Sequence, residues 1–127
     1  MAHILVVVDE TSIRTVLSVL VKSLGHEAVM CSNGEQAIDV IQSDQSIDVV
    51  MTDLRMNEVS GMDVIASVKR HRPQTPAIVI SAYLSEEKLK EIRAIGAFGH
   101  IAKPFRMDAV RETIEAALSA APLPPEE

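Results

Sequence analysis

The sequence predicts an α/β domain built on a parallel β-sheet with helices on both faces. Short apolar runs alternate five times with segments whose apolar residues recur at helical spacing. The first run, Ile4-Leu5-Val6-Val7-Val8, is continuous and rich in β-branched residues, the pattern of a strand buried on both faces. Several runs stop at a polar residue where a strand would hand over to a loop: Asp9, Asp53, Ser81 and Lys103.

The elements follow in order. After the first strand, Ile13, Val16, Leu17, Leu20, Val21 and Leu24 mark one helix face, and Gly25 stands where that helix should close. Glu27 to Cys31 form a second strand, and Ser32 or Asn33 caps a short helix carrying Ala37, Ile38 and Ile41. Ile47 to Thr52 form a third strand ending at Asp53, and a loop through Gly61 leads to a helix with Val64, Ile65 and Val68. Pro73 and Pro76 bracket a turn before the fourth strand, Ala77-Ile78-Val79-Ile80, which ends at Ser81. Ser85 caps a helix whose first turn holds Glu86 and Glu87, the favourable charge sign for that end of the dipole, and Gly96 closes it. Phe98 to Ala102 form the fifth strand, and Val110, Ile114, Ala117 and Leu118 line a final helix. The expected domain spans residues 1–119, with residues 120–127 a proline-rich C-terminal tail or linker that cannot continue the helix.

Composition narrows the function. The 127 residues suit one domain, and 47% hydrophobic with 24% charged residues is an ordinary globular balance. A net charge of −6 disfavours direct binding of nucleic acid, which calls for a basic excess. The aromatic residues Tyr83, Phe98 and Phe105 are too few for a base-stacking platform. No apolar run approaches the ~20 residues of a membrane span, and Met1-Ala2-His3 leads into a strand without the features of a signal peptide. Cys31 is the single cysteine, so no intrachain disulfide forms, and a cytoplasmic location is expected.

In parallel sheets of this kind, ligands bind beyond the carboxyl ends of the strands. Asp9 and Asp53 would face each other there if the first and third strands are neighbours. Two close carboxylates call for a shared proton or a cation between them. Mg²⁺ suits such an open oxygen site, since it keeps several waters and needs only one or two carboxylates. Lys103 would offer positive charge to a phosphoryl oxygen and Ser81 a hydroxyl donor, so a carboxylate nucleophile could accept a phosphoryl group. The plainer alternative is that Lys103 only compensates a buried Asp53.

The chain resembles a receiver domain of bacterial two-component response regulators over about residues 3–119. The matching segments are Ile4 to Glu10, Thr52-Asp53-Leu54-Arg55-Met56, Gly61-Met62-Asp63, Val79-Ile80-Ser81-Ala82, and Gly96-Ala97-Phe98 through Lys103-Pro104-Phe105. The resemblance implies a flavodoxin-like three-layer (βα)5 sandwich whose parallel strands run in the order 2-1-3-4-5. It implies that Asp53 is the phosphoacceptor, that Asp9, Asp53 and the Arg55 backbone carbonyl hold Mg²⁺, and that Ser81 and Lys103 contact the phosphoryl group. It also implies a cis bond before Pro104. The implied partners are a sensor histidine kinase or phosphotransfer protein and a downstream output domain or protein, with scope for a phosphorylation-dependent dimer. Such a domain catalyses at most its own phosphorylation and dephosphorylation.

The sequence departs from the family pattern at three places. Val8 stands in the first of two slots that usually carry adjacent acids, so Mg²⁺ affinity should be weakened. Glu10 is not expected to replace the missing acid, because neighbouring strand residues point to opposite faces. Asn57 stands where proline is usual, and His100 where the switch aromatic normally lies, with scope for pH sensitivity or simply a solvated strand end. These departures keep open a degenerate receiver that binds partners without phosphorylation. A flavodoxin-like enzyme or cofactor carrier is disfavoured, because Asp9-Glu10-Thr11-Ser12 has no glycine and two acids that would repel a cofactor phosphate. The segment Asp53-Leu54-Arg55-Met56 resembles receivers joined to transcription-activating ATPases.

Overall fold

A computed structural model describes residues 2–54, 60–82 and 85–120 of the chain. The five apolar runs form strands β1 (His3–Val7), β2 (Glu27–Cys31), β3 (Val49–Asp53), β4 (Ala77–Ser81) and β5 (Gly99–Ala102). Between and after them lie helices α1 (Thr11–Ser23), α2 (Gly34–Gln42), α3 (Gly61–His71), α4 (Glu86–Ala94) and α5 (Met107–Ala120). The strands make one parallel sheet in the order β2-β1-β3-β4-β5, as the resemblance implied.

Side chains alternate across the central strands and divide the core into two layers. Ile4, Val6 and Val8 join Met51, Ile78 and Ile80 under α1 and α5. Leu5 and Val7 join Val50 and Val79 on the opposite face, under α2, α3 and α4. Burial on both faces explains why the strands read as unbroken apolar runs.

The predicted strand limits shift by a residue or two. β3 starts at Val49, not at Ile47, although Ile47 is buried. The preceding residue, Asp48, is tied to β1 instead: its N–H donates to the His3 carbonyl at 2.7 Å and its carboxylate accepts from the His3 N–H at 2.7 Å. β5 starts at Gly99, and Phe98 is left exposed.

The helix ends follow their capping residues. Of the two candidates, Asn33 caps α2, accepting from the Gln36 N–H at 2.8 Å. Ser60 and Asp63 form a reciprocal capping box at α3, and Ser85 accepts from the Lys88 N–H at 3.1 Å at α4. Gly25 and Gly96 take positive φ values of 87° and 101° just past α1 and α4, which side-chain-bearing residues rarely adopt. The Arg72 guanidinium donates to the carbonyls of Ile41, Ser43 and Gln45 at 2.8, 2.9 and 2.6 Å, tying the end of α2 to the end of α3. α1 differs from these three. Its N-cap is Glu10, in extended conformation, and the side chain makes no capping hydrogen bond.

Candidate functional site

β1 and β3 are neighbours, and the chain connects β1 to β2 on one side and β3 to β4 on the other. The crevice beyond their carboxyl ends is therefore the topological switch point. Val7 pairs with Thr52, Asp53 with Ile80, and Ser81 with Ala102, so Asp9, Asp53, Ser81 and Lys103 all stand at this end of the sheet. The four residues singled out at strand ends are thus gathered at one rim.

Asp53 is the most enclosed charge there, at 4% exposure. The Lys103 ammonium donates to its Oδ2 at 3.0 Å. The Lys103 backbone N–H donates to the Ser81 carbonyl at 2.8 Å, which holds it from behind; the bond to Pro104 is cis, as the resemblance implied. Ser81 is buried, Asp9 is exposed, and His100, on β5 opposite Val79, is also exposed.

Two further residues shape the crevice. Gly61 opens α3 and its N–H donates to the Leu54 carbonyl at 2.9 Å. A Cβ at Gly61 would lie 2.8 Å from the Leu54 Cα and would collide with the Asp53 carbonyl oxygen, so α3 rests directly on the backbone of Asp53. Arg14 on α1 donates to the Val8 carbonyl at 2.8 Å and holds the end of β1 in place.

The reason for setting Glu10 aside, strand alternation, does not apply to it. β1 ends at Val7, so strand alternation no longer governs where Glu10 points. As an uncommitted N-cap it places Oε1 3.8 Å from the Lys103 ammonium. The available signal was the residue type: glutamate is a poor N-cap, which leaves its carboxylate for another partner. Val8, by contrast, is fully buried in the apolar layer under α1 and α5.

Burial pushes the Asp53 carboxyl above the usual carboxylate range; the Lys103 hydrogen bond and charge pull it down, and the Asp9 charge adds to the rise. The consequence for stability has a definite sign. Between the ordinary and the raised value, the folded chain holds a proton that the unfolded chain has released. Stability therefore falls as pH rises through that window, and the cost is complete above it. Asp53→Asn removes the charge with little change of shape. It is expected to melt above wild type at pH 7 in metal-free buffer, with the gap closing as pH is lowered through the window. A mutant melting lower at pH 7 would mean that Lys103 pairing outweighs the burial cost.

The donor chemistry fits a hard divalent cation. Asp9, exposed at the rim, and Asp53, enclosed behind it, offer two carboxylates, which is what Mg²⁺ takes from a protein. Among the described residues no group of three or more His, Cys, Asp or Glu could form a metal cage. Water and backbone oxygens would supply the remaining ligands. Arg55, whose carbonyl was expected to be one of them, and Asn57 lie outside the described residues.

Residues 4–115 match the model of the response regulator receiver domain family. Regulatory protein AtoC of Escherichia coli K12 is 32% identical over 91% of this chain, and transcriptional regulatory protein ZraR of the same strain is 33% identical over 91%. The chain spans 25% and 26% of those proteins. Among solved structures, the chemotaxis protein CheY4 of Vibrio cholerae superimposes with a TM-score of 0.85 at 28% identity, covering 93% of this chain and 99% of that one. NtrX of Brucella abortus gives 0.86 at 28% identity, covering 94% of this chain and 27% of that one. A parallel sheet ordered β2-β1-β3-β4-β5 agrees with this match, and the chain belongs to the response regulator receiver domain family.

Proposed function

We propose that this domain accepts a phosphoryl group on Asp53 from a histidine kinase or phosphotransfer protein and relays the change to an output domain or protein. The observation that carries the reading is the Asp53 carboxylate itself: enclosed, at the switch point, and held at 3.0 Å by Lys103. In the transfer, an Asp53 oxygen forms a bond to phosphorus while the bond from phosphorus to the donor breaks. The donor leaves with that electron pair and takes up a proton as required. Asp9 and Asp53, with the Arg55 carbonyl, would hold Mg²⁺, which when bound offsets the charge on the phosphoryl oxygens.

The chain's own residues then have distinct tasks. Lys103 supplies a charge-assisted hydrogen bond to the phosphoryl oxygens, and Ser81 a hydroxyl. Both lie beside elements that can carry the change outward: Ser81 ends β4, which leads to α4, and Lys103 follows β5, which carries His100. The output is a population shift in the surface formed by α4, β5 and α5, a surface that also suits a phosphorylation-dependent dimer. A cytoplasmic setting accords with the family; among the described residues no helix is long and apolar enough to cross a membrane. Since the chain spans about a quarter of the curated relatives, an attached output domain is part of this proposal.

One observation favours a second reading, a degenerate receiver that works without phosphorylation: Val8 is apolar and buried where the family usually has an acid. Acetyl phosphate and Mg²⁺ separate the two. Intact mass is expected to rise by one phosphoryl group in wild type and not in Asp53→Asn. Equal labelling of the mutant would remove Asp53 from the mechanism, and no labelling of wild type would favour the degenerate reading.

A further inference from the structure

The geometry points to Glu10 as a positioning residue that shares the Lys103 ammonium with Asp53, so that Asp53 can turn to a divalent cation at lower cost. The inference rests on the acceptor reading of Asp53 and adds to it a carboxylate outside the Asp9–Asp53 pair.

Four observations support it. The Lys103 Nζ lies 3.0 Å from Asp53 Oδ2 on one side and 3.8 Å from Glu10 Oε1 on the other. An ammonium has three protons and can serve both carboxylates at once. The Lys103 side chain is 19% exposed and that of Glu10 62%, so the lysine sits between an enclosed acid and one at the mouth of the crevice. Glu10 is also free for this task, because it makes no side-chain capping bond to α1. Finally, Val8 offers no charge from the end of β1, being buried in the apolar layer. A cation between Asp9 and Asp53 must draw Asp53 away from its lysine. A lysine with a second carboxylate within reach gives up the first more readily, and the negative charge of Glu10 itself acts in the same direction.

An ion pair with one exposed partner contributes at most about 1 kcal/mol, so the expected effect is about a fivefold change in affinity. Calorimetric Mg²⁺ titration of the unphosphorylated domain is expected to show that weakening in Glu10→Gln and none in Glu115→Gln, which removes the same charge from the exposed face of α5. In a Lys103→Ala background the Glu10→Gln change should shrink, since its partner is gone. Glu10→Asp supplies a further readout. Aspartate is a favoured N-cap and a shorter side chain, so this variant should melt about 3 °C higher while binding Mg²⁺ as weakly as Glu10→Gln. A merely structural role would move stability and affinity together. Glu10→Gln with wild-type affinity would overturn the inference, as would an undiminished loss in the Lys103→Ala background. Phosphoryl uptake measured on the same proteins keeps the two proposals apart: uptake without any Glu10 effect overturns only this one, a Glu10 effect without uptake overturns only the acceptor reading, and wild type without saturable Mg²⁺ binding overturns both.

Discussion

Val8→Asp is expected to melt about 10 °C below wild type in metal-free buffer, a loss of about 3 kcal/mol. Val8 is fully buried and packs with Val6, Met51 and Ile80 under α1 and α5. The substitution forfeits that apolar burial and brings a carboxylate to the edge of an apolar layer. It also adds a like charge near Asp9 and Asp53. The carboxylate has one escape, which is to turn from the layer toward the rim of the sheet. There it can face a cation, so millimolar Mg²⁺ should return part of the lost stability and bind more tightly than to wild type. Thermal melts with and without Mg²⁺, paired with calorimetric titration, test both halves. Equal melting temperatures would mean that the end of β1 relaxes freely around a charge. An Mg²⁺-independent loss would mean that position 8 cannot reach the rim.

Lys103→Ala is expected to separate phosphoryl uptake from its consequence. The mutant loses one charge-assisted contact to the incoming phosphoryl group, which slows uptake roughly tenfold, or ~1.4 kcal/mol. Uptake itself should persist, because Asp53 remains and Asp9 is untouched. What disappears is the tie between Asp53 and β5. Lys103 joins Asp53 through its ammonium and the end of β4 through its N–H to the Ser81 carbonyl. A ligand shifts a conformational equilibrium only through contacts that differ between the two states, and the ammonium is the contact that reaches the phosphoryl group from this strand. Phosphorylated mutant should therefore accumulate while amide exchange over α4 (Glu86–Ala94) and β5 (Gly99–Ala102) stays close to that of the unphosphorylated protein. Protection changes as large as in wild type would place the coupling elsewhere. The mutant also leaves Asp53 buried without its hydrogen-bonded counter-charge, so it should melt below wild type.

The sheet was legible because each strand carries its environment on its face. Ile4 to Val8 is apolar throughout since both layers of the core press on it, and the polar residues that end the runs are those that meet at the rim. Strand order was not legible from periodicity alone; it came with the family resemblance. Two parts of the site were hidden for physical reasons. Glu10 was assigned an orientation by strand alternation, which stopped applying once β1 ended at Val7. Gly61 stood in the sequence as a loop glycine before a helix. Nothing local to it says that it will lie against Asp53, because that proximity is made by how α3 returns onto β3. Arg55 and Asn57 lie outside the described residues, so the expectations attached to them stay at the level of the sequence.

The contact between Gly61 and the Asp53 backbone reaches beyond the site's charges into heredity. Every glycine codon is one base change from an alanine codon, so a single-base step at this position can add a single methyl group. That methyl would fall on the carbonyl oxygen of Asp53 and would lever the strand end and the helix apart. A position with no ionisable group and no hydrogen-bonding side chain is thus tied by sterics alone to the aspartate beside it. A carboxylate held at the end of β3 therefore needs an empty space where α3 begins.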